Sequence, residues 1–326
     1  MLKYIAKRIL YIIFVFFIMS IIMFGIFKMV PGDPAAMAIK DVPKTDPVVY
    51  QQKYDAARER LGLDKPIPVQ YVSWITKMLS GDFGYSESYR NDVINIVKEP
   101  MGNTIFINIF NVVAALLITI PLGIVQAVKK HSKFDNVVQV GTIVGYSLPS
   151  FIVSLVAIYF FAIKLQIFPV SGMNTPGFSG TGWEKFLDKM YHFALPLIVM
   201  TVASLGSMTR FVRAAMIEAL SMDYIRTARA KGLTEKVVIY SHAFRNALLP
   251  IITLIIGWFL GIFGGSVVIE QIFGLNGLGK LLYTSLQAQD YNVVLALNMF
   301  YFVIAIVGNL ITDLSYGLVD PRVKIN

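Results

Sequence analysis

The sequence has no cysteine and few histidines, and both scarcities exclude kinds of site. Without cysteine, the chain can form neither a disulfide framework nor a thiolate metal site. Its three histidines, His131, His192 and His242, do not stand at metal-ligand spacing. We therefore expect no metal and no bound cofactor in this chain.

Charge is also scarce, at 15% of residues, whereas hydrophobic residues make up 56%. The mean hydropathy is +0.64. A soluble core formed by 326 residues could not hide that much apolar surface. The composition therefore predicts a membrane protein.

Six segments contain no Asp, Glu, Lys or Arg, and most reach or approach the roughly 20 residues that a helix needs to cross a bilayer. We predict an all-α membrane protein with six transmembrane helices. The first run is longer than the roughly 7–15 apolar residues of a secretory signal, so we expect an uncleaved anchor. The six segments are 9–27, 104–128, 136–163, 193–209, 246–269 and 291–312.

The charges predict the orientation of the chain in the membrane. With the N-terminus inside, the inner segments hold 15 basic and six acidic residues. Their net charge is therefore +9, which is the formal net charge of the whole chain. This is the positive-inside pattern, and it predicts cytoplasmic N- and C-termini. A basic balance sorted by membrane side does not indicate nucleic-acid binding.

The predicted organisation follows from this orientation. Residues 1–28 form an N-terminal tail and the first transmembrane helix, and residues 29–103 form an extracytoplasmic segment with a short helix around YQQKYDAARERLG. Residues 104–326 form a five-helix core, which includes a long cytoplasmic loop at 210–245.

The sequence offers little support for catalysis. The stretch GLNGLGKL, from Gly274 to Leu281, nearly matches a phosphate-binding loop, but Leu281 replaces the required Ser or Thr. We interpret it as a glycine-rich turn before a helix. The predicted spans have no central ionisable residue and no paired nucleophile and base, which disfavours a proton-driven carrier or an intramembrane enzyme. Sodium coupling through backbone carbonyls stays open.

Small residues and prolines indicate how the helices pack. Gly257, Gly261 and Gly265 recur every four residues, which predicts a smooth stripe on the fifth helix where another backbone approaches closely. Three prolines are expected to kink the second, third and fourth helices, and a kinked bundle can rock around a central path. They are Pro121, Pro149 and Pro196.

The loop at 210–245 gathers the most charge on the inner side. We predict a first short helix from Ala219 to Lys231, with Ala228 and Ala230 offering small side chains, and Gly232 as its C-terminal cap. Thr234 then caps a second helix that runs toward Arg245. Such an elbow could dock into a groove on a soluble protein or lie on anionic headgroups, and the pattern alone favours neither.

The spacing in this elbow resembles the cytoplasmic motif of permease subunits in ATP-binding-cassette (ABC) importers, which is E-A-A, three residues, Gly, nine residues and I-x-L-P. Arg226, Thr227 and Ala228 take the E-A-A positions and Gly232 the glycine, whereas Arg245 stands where Pro is usual. The stretches TARAKGL and HAFRNALLP resemble the form of this motif found in the first permease of the oligopeptide and dipeptide branch. Similar stretches, from YIAKRIL to DPRVKI, extend over nearly the whole chain.

This resemblance implies a type I ABC importer permease fold and a permease for oligopeptides or dipeptides; nickel complexes, glutathione or another small solute are the alternative cargo. A stand-alone carrier or channel is a more remote alternative. The implied partners are a second homologous permease, two cytoplasmic ATPase subunits that hold ATP and Mg²⁺, an extracytoplasmic solute-binding protein and membrane lipid. The implied ATPase-coupling residues are Arg226, Thr227, Ala228, Arg229, Lys231, Gly232, Leu233, His242, Phe244 and Arg245.

Overall fold

The structure, a computed structural model, describes residues 2–30, 32–39, 41–43 and 45–319. The motif DPRVKI, with the predicted inner charges Arg322 and Lys324, lies outside the described residues.

The chain divides into two compact units. Of the described residues, the first unit contains those up to residue 101 and 280–306, and the second contains 102–279 and 307–319. The predicted boundary between residues 103 and 104 falls inside a helix, because α5 already begins at Val93.

Helices make up most of the described chain. They are α1 (Leu2–Met29), α2 (Pro34–Ala38), α3 (Pro47–Arg60), α4 (Ile67–Leu79), α5 (Val93–Val128), α6 (Lys133–Ser147), α7 (Ser150–Ala157), α8 (Gly182–Ser221), α9 (Asp223–Ala230), α10 (Glu235–Val237), α11 (Arg245–Leu260), α12 (Val267–Ile272), α13 (Leu278–Gln287) and α14 (Tyr291–Val319). Ile158–Lys164 and Val238–Phe244 are π-helical, and Gly261–Phe263 is a 3-10 turn. Two short strands, β1 (Tyr85–Ser86) and β2 (Asn91–Asp92), form an antiparallel hairpin.

Polar caps start the two short helices that follow α1. The Asp33 carboxylate accepts hydrogen bonds from the N–H groups of Ala35 and Ala36, and Asp46 repeats this arrangement at the start of α3. Each aspartate precedes a proline at the first helical position, where a missing N–H costs nothing. The predicted helix around YQQKYDAARERLG is confirmed as the greater part of α3.

Within the described residues, five helical segments are long and apolar enough to cross a membrane, and there are six if the bent pair of α6 and α7 counts as one span. The axes of α6 and α7 differ by 100° at Leu148 and Pro149. The residue before a proline is driven out of the helical region, and Leu148 is extended. The kink predicted at Pro149 is therefore a break, whereas α8 continues through Pro196.

The predicted stripe of three glycines does not lie on one helix. Helical structure ends at Phe263, where the side-chain amide of Asn108 donates to the carbonyls of Ile262 and Gly264 at 2.8 and 2.9 Å. Gly265 lies past this end and packs against the backbone of Gly279. The prediction that Gly265 shares a helical stripe with Gly257 and Gly261 is therefore wrong.

Gly257 and Gly261 are exposed on α11, and an added Cβ would meet nothing within 4 Å. Close helix packing within the second unit uses other glycines. A Cβ at Gly123 would lie 2.7 Å from the Val212 side chain, and one at Gly206 would lie 2.8 Å from the carbonyl of Thr142.

The glycine-rich stretch before α13 is explained by packing. Gly277 lies against the buried carboxylate of Glu270, and a Cβ at Gly279 would lie 2.6 Å from the backbone nitrogen of Val267. The Thr104 hydroxyl donates to Glu270 at 3.0 Å and accepts from the N–H of Leu278 at 2.8 Å. The interpretation of a turn that precedes a helix is confirmed.

Candidate functional site

The segment 222–245 is attached to a buried apolar cluster, which we call the elbow cluster. It joins side chains from α5, α8, α9, the second π-helical stretch and α11. Its buried members are Ile124, Ala127, Met208, Val212, Met216, Ala219, Ile225, Ala228, Val238, Ala243, Ala247 and Ile251.

Helix α9 enters this cluster through one face. Ile225 is fully buried and Ala228 is 4% exposed, whereas Tyr224 and Arg226 point outward on the other face. Residues three apart share a face of a helix, so the pair anchors α9 to the cluster. The expectation that Ala228 offers an exposed small side chain is wrong, and only Ala230 does so.

The first predicted helix begins later than expected. Helix α8 continues through Ala219 to Ser221, because Met216 and Ala219 are buried members of the elbow cluster. Met222 is extended, with ψ of 151°, and α9 starts at Asp223. An acidic residue in the first turn favours a helix start there.

Gly232 ends α9 as predicted. Its φ of +76° lies in the left-handed region, and its N–H donates to the carbonyl of Arg229 at 2.9 Å. The N–H of Leu233 reaches back to the carbonyl of Ala228 at 3.4 Å. These two bonds form a Schellman motif, which reverses the chain after α9.

The second predicted helix is not separate from the membrane helix that follows. Thr234 takes the N-cap position with extended backbone, although its side chain makes no capping hydrogen bond. Helical structure then runs from Glu235 through Arg245 without a break. Ala243, Ala247 and Ile251 are four residues apart and all buried, so one continuous apolar face carries the helix through Arg245.

Two exposed ion pairs lie on the elbow. The Arg229 guanidinium donates to both carboxylate oxygens of Glu235, at 2.8 and 3.2 Å, and so bridges the turn at Gly232. These hydrogen bonds with Glu235 raise the pKa of Arg229. Arg226 lies 3.4 Å from Asp223.

The remaining predicted coupling residues divide into two groups. Thr227, Lys231, Leu233 and Arg245 are exposed, and the Thr227 hydroxyl donates to the carbonyl of Asp223 at 3.1 Å. Phe244 packs against the elbow cluster, and His242 is half-buried. The structure therefore separates exposed side chains from those that fix the position of the elbow.

Sequence reasoning missed an exposed apolar surface on this segment, which we call the elbow surface. Apolar side chains lie here among the basic residues already described, and their exposed fractions run from 38% to 51%. A solvated loop has little reason to expose them together. They are Met222, Tyr224, Leu233, Val237 and Tyr240.

A buried ion pair next to the elbow cluster was also missed. Arg213 of α8 donates two hydrogen bonds of 2.7 Å to the Asp135 carboxylate of α6, which is fully buried. The N–H of His131 donates to the same carboxylate at 3.0 Å. Arg213 is close in sequence to the cluster residues Val212 and Met216. The pair thus ties α6 to the helix that leads into the elbow.

Within the described residues, no three His, Asp or Glu side chains converge as a metal site would require. The chemistry that the elbow offers is contact and mechanical connection, since its exposed acidic residues Asp223 and Glu235 are paired with arginines and its other exposed side chains are apolar, basic or neutral polar.

Comparison with protein families places the chain. A family described as "Binding-protein-dependent transport system inner membrane component" matches residues 119–325. A second, described as "Binding-prot-dependent transport system membrane comp, N-term", matches residues 1–93. The chain therefore belongs to this family of inner membrane components of binding-protein-dependent transport systems.

Within that class, the predicted ABC importer permease is confirmed, and such a subunit is not itself a catalytic enzyme. The chain is 36% identical to the oligopeptide transport system permease protein AppB of Bacillus subtilis, over 99% of this chain and 100% of that protein. It is 33% identical to the dipeptide transport system permease protein DppB of Lactococcus lactis, over 100% of both.

A solved structure of the MetNI methionine ABC transporter in inward-facing conformations resembles the fold. The TM-score is 0.51 at 17% identity, and the match covers 68% of this chain and 97% of that chain. The likeness shows the permease fold over about two thirds of this chain.

Proposed function

We propose that this chain is the transmembrane permease subunit of an ATP-driven importer for oligopeptides or dipeptides. The full-length likeness to permeases named for those two cargoes supports the assignment. The chain forms half of the translocation path with a second, homologous permease. Partner ATPase subunits bind and hydrolyse the nucleotide.

The arrangement of the elbow is the observation that supports coupling best. The apolar elbow surface lies on the same segment as the exposed residues Arg226, Lys231 and Lys236, and this combination suits a groove with an apolar floor and an acidic rim. On the opposite face, Ile225 and Ala228 join α9 to the elbow cluster. A close-packed cluster deforms little, so movement of an ATPase at the elbow surface is passed on to α5, α8 and α11.

The charge pattern supports six spans, with the bent pair of α6 and α7 as the third, and both termini in the cytoplasm. Residues 29–103 are then extracytoplasmic, where a solute-binding protein delivers its cargo, and the 210–245 segment is cytoplasmic. Gly257 and Gly261 are exposed on α11 and suit close packing against the second permease.

Site-directed cross-linking tests the ATPase contact, and the absence of native cysteine makes single-cysteine variants unambiguous. We expect Leu233→Cys and Tyr240→Cys to cross-link to an ATPase subunit in membranes that hold the whole complex. Ala228→Cys is the buried control, and Val48→Cys, on α3, is the exposed control on the proposed outer side. Capture of phospholipid alone from both elbow positions would refute the coupling role.

Substitution of Gly232 tests the turn itself. A Cβ there would meet open space, so any effect comes from φ of +76°. Valine, which is β-branched, resists this conformation at a cost of roughly 1–3 kcal/mol, whereas asparagine tolerates it. We expect Gly232→Val to lower ATP-dependent peptide uptake and ATPase association but not membrane insertion, and Gly232→Asn to retain both. Equal uptake by the valine variant and the wild type would contradict this role.

A further inference from the structure

A cavity of about 620 Å³ lies within the first unit, between α1, α4, the β-hairpin and the first turn of α14. Aromatic side chains form much of its wall. The rings of Phe24 and Trp74 lie 5.4 Å apart, and those of Phe27 and Tyr291 lie 6.3 Å apart. The role proposed for the elbow makes no use of this cavity.

Three lysines line the cavity near α1 and α4. Lys28, in the last turn of α1, donates to the side-chain carbonyl of Gln70 at 2.5 Å. Gln70, Trp74 and Lys77 are spaced four and three residues apart, so they share one face of α4. Lys65 is the third of these lysines. Within the part of the chain that the structure describes, none of the three forms an ion pair with a carboxylate.

The carboxylates that line the cavity are partly engaged by the protein itself. Glu87 pairs with Arg60 at 2.7 Å, and the hydroxyl of Ser86 donates to Asp290. Asp82 and Asp92 are the two other acidic residues of the lining. The lining holds four basic and four acidic residues, but the three lysines lie on or just before α1 and α4, whereas the carboxylates lie after α4, on the hairpin and before α14. The lysine side of the cavity therefore suits an anionic group.

Both helices beside the lysines expose apolar side chains. On α4, Ile67, Val72 and Leu79 are each about 60% exposed. On α1, which is long and apolar enough to span a membrane, Ile21 and Ile26 are more than half exposed. The cavity therefore opens where a membrane helix ends, beside apolar surface that hydrocarbon chains would cover.

We propose that this cavity binds a phospholipid, with the phosphate against Lys28 and Lys77 and the acyl chains along the exposed faces of α1 and α4. A phosphodiester supplies an anion for these lysines, whose long side chains can reach the polar headgroups while their apolar stems stay against the helices. The aromatic wall suits the level of the headgroups, where tryptophan and tyrosine are enriched. The site fixes α4 to the membrane at the end of α1. It does not depend on the cargo or on the ATPase contact.

Native mass spectrometry of the full chain in detergent tests the site by titration with phosphatidylglycerol, phosphatidylethanolamine and diacylglycerol. We expect one saturable phospholipid and much weaker binding of diacylglycerol, which has no phosphate. The double variant Lys28→Gln with Lys77→Gln should bind both phospholipids roughly tenfold more weakly. Replacement of the same two lysines by arginine should preserve binding.

The matched control replaces Lys53 and Lys98, which are exposed lysines outside the cavity lining, by glutamine. It should bind phospholipid as the wild type does, and all variants should share one melting temperature. An equal loss of phospholipid binding in this control and in the Lys28→Gln, Lys77→Gln variant would overturn the proposal. So would displacement of the lipid by inorganic phosphate or by a tripeptide, because the cavity would then be a site for a soluble anion or for cargo.

Discussion

The elbow at 222–245 and the segment 33–60 both contain short helices, but different forces hold those helices. The elbow inserts Ile225 and Ala228 into a large apolar cluster shared by several long helices. Among its described residues, the segment 33–60 buries a small cluster of Ala35, Ile39 and Ala57, and its helices start at aspartate caps.

This difference matters for how each segment responds to force and to solvent. An apolar anchor in a close-packed cluster moves with its neighbours and has no titrating group. The aspartate caps act over a few residues, and the hydrogen bond from Tyr54 to Asp33 also depends on the charge of that carboxylate. The elbow therefore suits the transmission of movement, whereas the segment 33–60 depends on groups that titrate.

The largest effect is expected at the ion pair beside the elbow cluster. Arg213→Ala leaves the Asp135 carboxylate buried without its partner, which should cost roughly 3–5 kcal/mol of the free energy of unfolding. Replacement of both residues by leucine should recover most of that loss. Denaturant unfolding in detergent measures the change. Arg226→Ala, at an exposed pair on α9, is the control, and an equally large loss there would contradict the argument.

A smaller effect is expected at the anchor of α9. Ile225→Ala removes buried methyl groups and should lower the free energy of unfolding by about 3 kcal/mol. Hydrogen exchange should increase most at residues 222–233, because the anchor holds them. The control in segment 33–60 is Val48→Ala. Because Val48 is 66% exposed, this substitution should change the free energy of unfolding by less than about 0.5 kcal/mol. Unchanged exchange in Ile225→Ala would show that α9 is held by something else.

The smallest effect is expected at Asp33, where it depends on pH. Burial opposes ionisation of this carboxylate, but the hydroxyl of Tyr54, at 2.6 Å, and the N–H groups of Ala36 and Ala35 hold its pKa below the ordinary value. A pKa lowered by folding stabilises the segment above about pH 4, and the stabilisation is lost as the pH falls through the folded pKa.

Hydrogen exchange at residues 33–39, corrected for intrinsic rates, should therefore increase below about pH 4 in the wild type. Asp33→Asn keeps the cap but cannot ionise, so its protection should not change over this range. Tyr54→Phe, which removes only the hydroxyl, should shift the change to higher pH. The same pH response in wild type and Asp33→Asn would exclude Asp33 as its source.

The sequence predicted those features that depend on neighbours along the chain. Charge-free runs predicted the long apolar helices, and the Gly after a basic turn predicted the cap at Gly232. The break at Pro149 followed from a local rule, although its size did not. The start of α9 was predicted too early, because the burial of Ala219 in a tertiary cluster extends α8.

Features that join distant segments were not predictable in this way. Asp135 and Arg213 are 78 residues apart, and no local pattern distinguishes them from the other inner charges. The end of helical structure at Phe263 depends on amide donation by Asn108 from another helix. Periodicity alone therefore extended the glycine stripe to Gly265, beyond the end of the helix.

The bend between α6 and α7 has a consequence for the life of the protein in the cell. On the proposal that α6 and α7 together form the third span, the helix end at Ser147 leaves carbonyls without intrahelical donors at a depth where hydrocarbon supplies none. A neighbouring subunit or enclosed water would then have to satisfy them. We therefore expect the chain, when it is synthesised without the rest of its transporter, to be recognised by membrane proteases and degraded quickly.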